Sequence, residues 1–81
     1  MARIVNAVTT VDATGVMCPL PIVWMAERMK TLAIGDVIEV LATDAAILDD
    51  LPSWCRATGH EYLGIEIDGS TFRGYARRSH A

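Results

Sequence analysis

The residues of this chain that are best suited to take part in a reaction are Cys18 and the prolines after it, in the run Cys18-Pro19-Leu20-Pro21. A cysteine thiolate is a nucleophile that exchanges or carries sulfur through S–S bonds. Proline is favoured in the first turn of a helix, so Pro19 and Pro21 predict that Cys18 caps one. The positive pole of that helix, with the amides of Leu20 and Ile22 as nearest donors, predicts a moderately lowered pKa for the thiol.

Hydrophobic periodicity predicts the elements that must hold this thiol in place. A β-branched stretch over residues 3–13 predicts a first strand, and Gly15 in the turn after it predicts a positive φ. Apolar residues at helical spacing then predict a helix over residues 19–31, directly after the thiol. The apolar run over residues 37–43 predicts a second strand that lies inside the sheet.

A second helix is predicted after that strand. Asp44 is a suitable N-cap and Gly59 a suitable stop, while Pro52 predicts a kink or a division into two short helical pieces. Asp44, Asp49 and Asp50 stand at the start of this helix, where carboxylates suit the helix dipole. We favour that local explanation, although the three carboxylates could also present a negative patch to a basic partner.

The last third of the chain is predicted to be a hairpin. Asp68-Gly69 favours a two-residue turn between strands over residues 62–67 and 70–77. The expected register sets Ile67 opposite Ser70, Ile65 opposite Phe72, Leu63 opposite Gly74, Tyr62 opposite Tyr75 and Glu66 opposite Thr71. The order of all elements predicts an α/β two-layer sandwich, βαβαββ, with a four-stranded mixed sheet and two helices packed on one face.

Composition and charge limit the classes of function. With 81 residues, 52% of them hydrophobic, the chain is predicted to be one domain over residues 1–81. The net charge of −3 argues against direct nucleic-acid binding, and no apolar run approaches the roughly 20 residues that span a membrane. Two cysteines and no leader-like start predict a cytoplasmic protein, and scattered Cys and His predict neither a metal nor another cofactor.

The basic residues are scattered, except for a group near the C-terminus. Arg73, Arg77 and Arg78 stand close together in sequence. We interpret this group as a solvated strand edge, with docking of an acidic partner as the alternative.

The residues around the thiol resemble a family signature. The run Asp12-Ala13-Thr14-Gly15-Val16-Met17-Cys18-Pro19-Leu20-Pro21 is similar to the D-x-x-G-x-x-C-P-x-P pattern of the TusA/SirA-like sulfur carrier family. The similarity continues in Gly35-Asp36, Thr43-Asp44, Pro52-x-Trp54-Cys55 and Gly59-His60, although Ala45 stands where a proline is common. The resemblance covers essentially the whole chain and implies the same βαβαββ sandwich.

That resemblance also implies a function. In the family the C-P-x-P cysteine holds sulfane sulfur as a persulfide, which implies this role for Cys18. The implied donor is a cysteine desulfurase or rhodanese-type protein, and the implied acceptor is another protein in a relay such as tRNA thiolation, cofactor assembly or sulfur oxidation. The chain would then be a carrier that works with partner sulfurtransferases, not an enzyme by itself. Asp12, Gly15, Pro19 and Pro21 would support the motif. We interpret Asp12 as a turn residue that binds nearby amides, with a direct role at the sulfur as the alternative.

The surroundings of the thiol predict a surface for those partners. Leu20 and Trp24 stand at i and i+4 on the helix face opposite the buried stripe, and Met17 lies beside the thiol. Exposed aromatic and apolar side chains there would anchor a partner. Alternatively, Trp24 folds over the helix edge and Met17 plugs the end of the sheet. Cys55, on the apolar stripe of the second helix, is predicted to be a buried structural thiol rather than a disulfide partner of Cys18.

Two other classes of function stay open from the sequence. Cys18 could form reversible disulfides in a thiol-redox or regulatory protein. The turn at residues 18–21 could also only shape an interaction surface, with no chemistry at the sulfur.

Overall fold

A computed structural model describes residues 7–80 and shows six elements of secondary structure. These are strand β1 (Thr9–Ala13), helix α1 (Leu20–Met29), strand β2 (Val37–Ala42), helix α2 (Ile47–Thr58), strand β3 (Glu61–Asp68) and strand β4 (Thr71–Arg77). The predicted order of elements is confirmed. The first strand begins at Thr9, later than predicted, and the part predicted for residues 3–6 lies outside the described residues.

The four strands form one mixed sheet in the order β1-β2-β4-β3. β1 and β2 run parallel, with Val11 opposite Val40, and β4 pairs antiparallel with both β2 and β3. The prediction that β2 lies inside the sheet is therefore confirmed. Because β1 and β2 are parallel, their C-terminal residues Ala13 and Ala42 lie side by side at one end of the sheet.

Both helices pack on one face of this sheet around a shared cluster of buried side chains. The helical stripes contribute Ile22, Met25 and Met29 from α1 and Ile47, Leu51 and Cys55 from α2, and the sheet contributes Val11, Ala13, Ile38, Val40, Ala42 and Ala76. The apolar spacing in α1 places its three core residues on one side of the helix, as predicted. The fold is the expected α/β two-layer sandwich. Within residues 7–80, neither helix has the length and apolar character needed to cross a membrane.

α2 differs from its prediction at its start and at its proline. Ala46 is the N-cap, so the prediction of Asp44 as the cap is wrong. Asp44 instead closes the turn before the helix, where its Oδ1 accepts a hydrogen bond from the Ala46 N–H at 3.0 Å. The helix runs through Pro52 as one element, so a division into two pieces is also wrong. Core contacts on both sides of Pro52 hold the helix together, and Gly59 ends it as predicted.

The hairpin turns one residue later than predicted. Asp68 pairs with Thr71, so the turn is residues 69–70 and the register is shifted by two. Ile67 lies opposite Phe72 and Ile65 opposite Gly74, whereas the prediction set Ile65 opposite Phe72. Since side chains alternate with a period of two, a shift of two residues leaves Ile65 and Phe72 on the face predicted to meet the core. Tyr62 is an exception, because it lies opposite Ala76 instead of Tyr75. Ile65 and Phe72 therefore still pack against the core.

Two features of β3 and β4 account for the observed register. Gly69 has a φ of 62° and stands at the first position of the two-residue turn, where a type II′ turn places glycine. Asp68 is therefore a strand residue, and its exposed side chain pairs with Arg73 at 3.1 Å. The pairing also shifts between Tyr62 and Gly64, where Gly64 has a φ of 113°. A bulge absorbs an extra residue in one strand, and this one uses a conformation that favours glycine.

The interpretation of the C-terminal arginines as a strand edge is wrong, because β4 is an inner strand. Arg73 pairs with Asp68, and Arg77 pairs with Glu61 at 2.8 Å. Arg78 donates hydrogen bonds to main-chain oxygens at the C-terminal end of α1, including that of Leu32 at 2.7 Å. Their charges thus serve contacts within the chain.

Gly74 sets the distance between α2 and the sheet, and Gly74→Ala should destabilise the fold. A Cβ at this position would lie 2.5 Å from Leu51 Cδ2 and 3.2 Å from Val40 Cγ1. Because Leu51 is fully buried, we expect the free energy of unfolding to fall by about 1–3 kcal/mol, the usual effect of overpacking. Chemical denaturation measures this change.

The matched test is a double-mutant cycle with Leu51→Ala, which removes the atom that the new methyl group would meet. Gly74→Ala should then lower the free energy of unfolding by less than it does in the wild type. An equal penalty in both backgrounds would contradict the assignment to Leu51.

Candidate functional site

Cys18 lies where the loops that follow β1 and β2 meet. The Gly15 N–H donates a hydrogen bond to Thr43 Oγ1 at 2.9 Å, and the Cys18 N–H donates one to Asp44 Oδ2 at 3.0 Å. The crevice beyond the C-terminal ends of parallel strands is a common place for ligands to bind in open α/β sheets. The main chain of the cysteine is therefore anchored by the neighbouring loop, while its half-buried side chain packs at the margin of the core.

Asp12 and Gly15 shape the turn that leads to the thiol. Asp12 Oδ1 accepts hydrogen bonds from the Thr14 N–H at 3.1 Å and from Thr14 Oγ1 at 2.7 Å. These bonds lower the pKa of Asp12 and place it in the turn. Gly15 has a φ of 83°, as its sequence position predicts.

The start of α1 differs from its prediction. Pro19 is the N-cap and Leu20 the first helical residue, so the prediction of Cys18 as the cap is wrong. The Cys18–Pro19 peptide bond is cis. The Leu20 N–H donates to the Met17 main-chain oxygen at 3.0 Å, and the Ile22 N–H donates to that of Pro19 at 3.0 Å. Main-chain bonds therefore already use the two amides that were expected to stabilise a thiolate.

The Cys18 thiol is less acidic than an ordinary thiol. Burial raises its pKa to about 11, and a hydrogen bond to Asp50 and the negative charges of Asp50 and Asp44 act in the same direction. The predicted lowering of the pKa is wrong, because burial disfavours the thiolate, two carboxylates act on the sulfur and the helix amides are occupied. At neutral pH the free chain consequently holds Cys18 as a protonated thiol.

Helical geometry explains why Asp50, and not Asp49, acts on the thiol. Asp50 stands three residues after the buried Ile47 and directly before the buried Leu51, so it flanks the core side of α2. Asp49 lies on the exposed side. Sequence reasoning assigned both carboxylates to the helix dipole and missed the effect of Asp50 on the sulfur. The predicted parallel pairing of the first two strands could have revealed this effect, because it brings the loop before α2 next to the loop before α1.

The apolar side chains predicted to bind partners are exposed. Met17 is 74% exposed, Leu20 43% and Trp24 41%. Met17 therefore does not plug the end of the sheet, and Trp24 keeps much of its surface free. Pro21 is buried in the first turn of α1.

Cys55 differs from Cys18 in its surroundings. It is only 2% exposed and belongs to the core cluster, and burial raises its pKa to about 11. Both cysteines are free thiols. The prediction of a buried thiol at Cys55 is confirmed. Among residues 7–80, no three His, Cys, Asp or Glu side chains are grouped so that they could hold a metal ion.

Asp50→Asn should lower the pKa of Cys18. The change removes a negative charge and a strong hydrogen-bond acceptor while keeping the size of the side chain, so the thiolate becomes less unfavourable. We expect the pKa to fall from about 11 toward the ordinary value of 9.0. The rate of alkylation against pH reports this value in a Cys55→Ser background, because only the thiolate reacts.

Asp49→Asn is the matched control, since it changes the net charge equally at the neighbouring position. It should leave the pH profile of Cys18 alkylation close to that of the Cys55→Ser chain with both aspartates unchanged. Equal shifts in the two variants would show that net charge, rather than the position of Asp50, governs the thiol.

Comparisons with known proteins agree with the fold. A family model described as Sulfurtransferase TusA matches residues 9–78. The SirA-like protein of Desulfitobacterium hafniense, a crystal structure, superposes with a TM-score of 0.72 at 25% identity. The match covers 89% of this chain and 99% of that one.

Relatives in sequence extend this agreement. The putative sulfur carrier protein YrkF of Bacillus subtilis is 45% identical over 73 residues, which make up 90% of this chain and 40% of YrkF. This chain thus spans less than half the length of that relative. The sulfur carrier protein TusA of Pseudomonas entomophila is 38% identical over 69 residues, 85% of this chain and 86% of that protein. With its family match and its fold in agreement, the chain belongs to the TusA family.

Proposed function

We propose that this protein is a sulfur carrier that accepts sulfane sulfur as a persulfide on Cys18 and transfers it to an acceptor protein. The observation that carries the proposal is the placement of Cys18, a half-buried free thiol with an anchored main chain at the end of the sheet. Such a group meets partner proteins rather than a small molecule in an enclosed pocket. The names of the relatives, sulfur carrier proteins, support the same role.

The proposed transfer is a thiol–persulfide exchange. The Cys18 thiol gives up its proton, and the resulting thiolate attacks the outer sulfur of a persulfide on the donor. The S–S bond of the donor breaks, the donor leaves as a thiolate, and that thiolate takes up the released proton. Sulfane sulfur moves with no net oxidation or reduction. Asp50, which favours the protonated thiol, is the proposed acceptor of the proton during attack.

Partner proteins complete the proposed relay. We infer a cysteine desulfurase or rhodanese-type donor and a protein acceptor, in a relay such as tRNA thiolation, cofactor assembly or sulfur oxidation. The carrier domain over residues 1–81 would act in the cytoplasm, without direct contact with nucleic acid and without catalysing a reaction alone. Asp12, Gly15, Pro19 and Pro21 would fix the shape of the site.

Mass spectrometry tests the role of Cys18. After incubation with a cysteine desulfurase and free cysteine, the wild-type chain should gain about 32 Da, the mass of one sulfur atom. The gain should disappear in Cys18→Ser and remain in Cys55→Ser, because Cys55 is buried. A gain that survives Cys18→Ser would contradict the proposal, and so would a disulfide as the only modification, which favours a redox role.

Docking of the donor protein should depend on the exposed apolar residues. We expect Leu20→Ser and Trp24→Ser to slow transfer from the desulfurase roughly tenfold each, as for central contact residues. Transfer from a small persulfide should stay unchanged, since it needs no docking surface. Ile67→Ser is the matched control, because Ile67 is 67% exposed but lies on the hairpin. Equal slowing by Ile67→Ser would contradict a docking surface at Leu20 and Trp24.

A further inference from the structure

The basic side chains of the helices lie far from the thiol. Arg28 and Arg56 stand in the last turns of α1 and α2, and Lys30 follows α1, whereas Cys18 precedes the first turn of α1. A helix of 10 residues is about 15 Å long. This length exceeds the Debye length of about 8 Å at physiological ionic strength. The helical cations are therefore screened from the sulfur.

The remaining basic residues of the described chain are engaged elsewhere. Arg73 lies 3.6 Å from Glu39 and 3.1 Å from Asp68, and Arg77 pairs with Glu61. The Arg78 guanidinium binds main-chain oxygens at the far end of α1. The charged groups that act on the Cys18 thiol are the carboxylates of Asp50 and Asp44.

These two carboxylates carry charge that no cation of residues 7–80 balances. Neither Asp44 nor Asp50 forms an ion pair in this part of the chain. Asp44 accepts hydrogen bonds from the main-chain N–H groups of Ala46 and Cys18, each at 3.0 Å. Those bonds lower the pKa of Asp44, so it stays ionised at neutral pH. The approach to the sulfur is consequently acidic, between exposed apolar side chains at Met17 and Leu20.

We propose that Asp44 and Asp50 select by charge which sulfur donors reach Cys18. Small anionic donors of the thiosulfate class are disfavoured, and a protein donor that brings a Lys or Arg side chain to the first turn of α2 is favoured. The inference rests on the proposed function, because it specifies the donor class for the same thiol.

The physical basis is the sign of the charges during attack. When a thiolate attacks the outer sulfur of thiosulfate, the S–S bond breaks and sulfite leaves, so two anions must meet beside two carboxylates. A docked protein cation offsets the carboxylates instead, and the exclusion of water by Met17 and Leu20 strengthens that attraction. The same cation makes the Cys18 thiolate less unfavourable at the moment of contact.

Charged thiol reagents of matched chemistry test this selection. Trimethylammonioethyl methanethiosulfonate is cationic and sulfonatoethyl methanethiosulfonate is anionic, and each forms a mixed disulfide with the thiolate and releases methanesulfinate. The ratio of their rates reports the local charge, since both react with the same thiolate fraction and its pKa cancels. The measurement uses the full chain with Cys55→Ser, so that Cys18 is the reacting thiol.

We expect the cation-to-anion ratio to be about threefold to tenfold higher in the folded chain than in the urea-unfolded chain, and to collapse at high salt. Asp50→Asn should reduce the ratio severalfold, and Asp44→Asn should reduce it as well. Asp49→Asn is the matched control with the same net charge, and it should leave the cation-to-anion ratio largely unchanged.

A ratio in the folded chain equal to that of the unfolded chain would overturn the proposal, as would equal reductions by Asp49→Asn and Asp50→Asn. If an aspartate variant fails to fold, the question is decided by the salt dependence of the cation-to-anion rate ratio in the Cys55→Ser chain with its aspartates unchanged. These reactions move an alkylthio group and no sulfane sulfur to Cys18, so their outcome is independent of whether Cys18 gains sulfur from a desulfurase.

Discussion

The parallel pairing of β1 with β2 brings the loops after these strands to the same end of the sheet, and the site depends on this arrangement. The hydrogen bonds from Gly15 to Thr43 and from Cys18 to Asp44 both cross between these loops. A register shift of two residues would displace one loop from the other by roughly 6.6 Å along the strands. Neither bond would survive that displacement, and the carboxylates of the second loop and α2 would no longer act on the thiol.

The same arrangement explains why the thiol is protected rather than activated. A helix start usually offers free amides to an anion, but here the amides of Leu20 and Ile22 are bonded to main-chain oxygens. Burial and Asp50 then favour the protonated form. Because oxidation follows thiolate character, a protonated thiol resists it. Under the proposed function, this inertness suits a carrier that moves between partners, and the reactivity of the thiol would come from the partner that it meets.

The sequence predicted the parts of the structure that depend on local patterns. Helical spacing in Ile22, Met25 and Met29 identified the buried side of α1, and Gly15 identified the turn before the thiol. What it could not predict depends on contacts between distant segments. The pKa of Cys18 depends on Asp50, which is 32 positions away in the sequence and reaches the sulfur only through the packing of α2. The hairpin register depends on Gly69 taking the first turn position and on the bulge between Tyr62 and Gly64, and the local preference of Asp68-Gly69 predicted neither of these.

Under the proposed function, the anchored amide of Cys18 bears on how partners would distinguish the persulfide form from the free thiol. Residues 17–22 use only main-chain groups in the hydrogen bond to Asp44 and in the bonds that close the turn at Met17 and Pro19. Adding a sulfur atom lengthens the Cys18 side chain by about 2 Å and requires no rearrangement of these bonds. The backbone surface is then the same in both forms. Under the proposed function, an acceptor would therefore distinguish the loaded form from the empty form at the terminal sulfur of Cys18, after the two proteins are in contact.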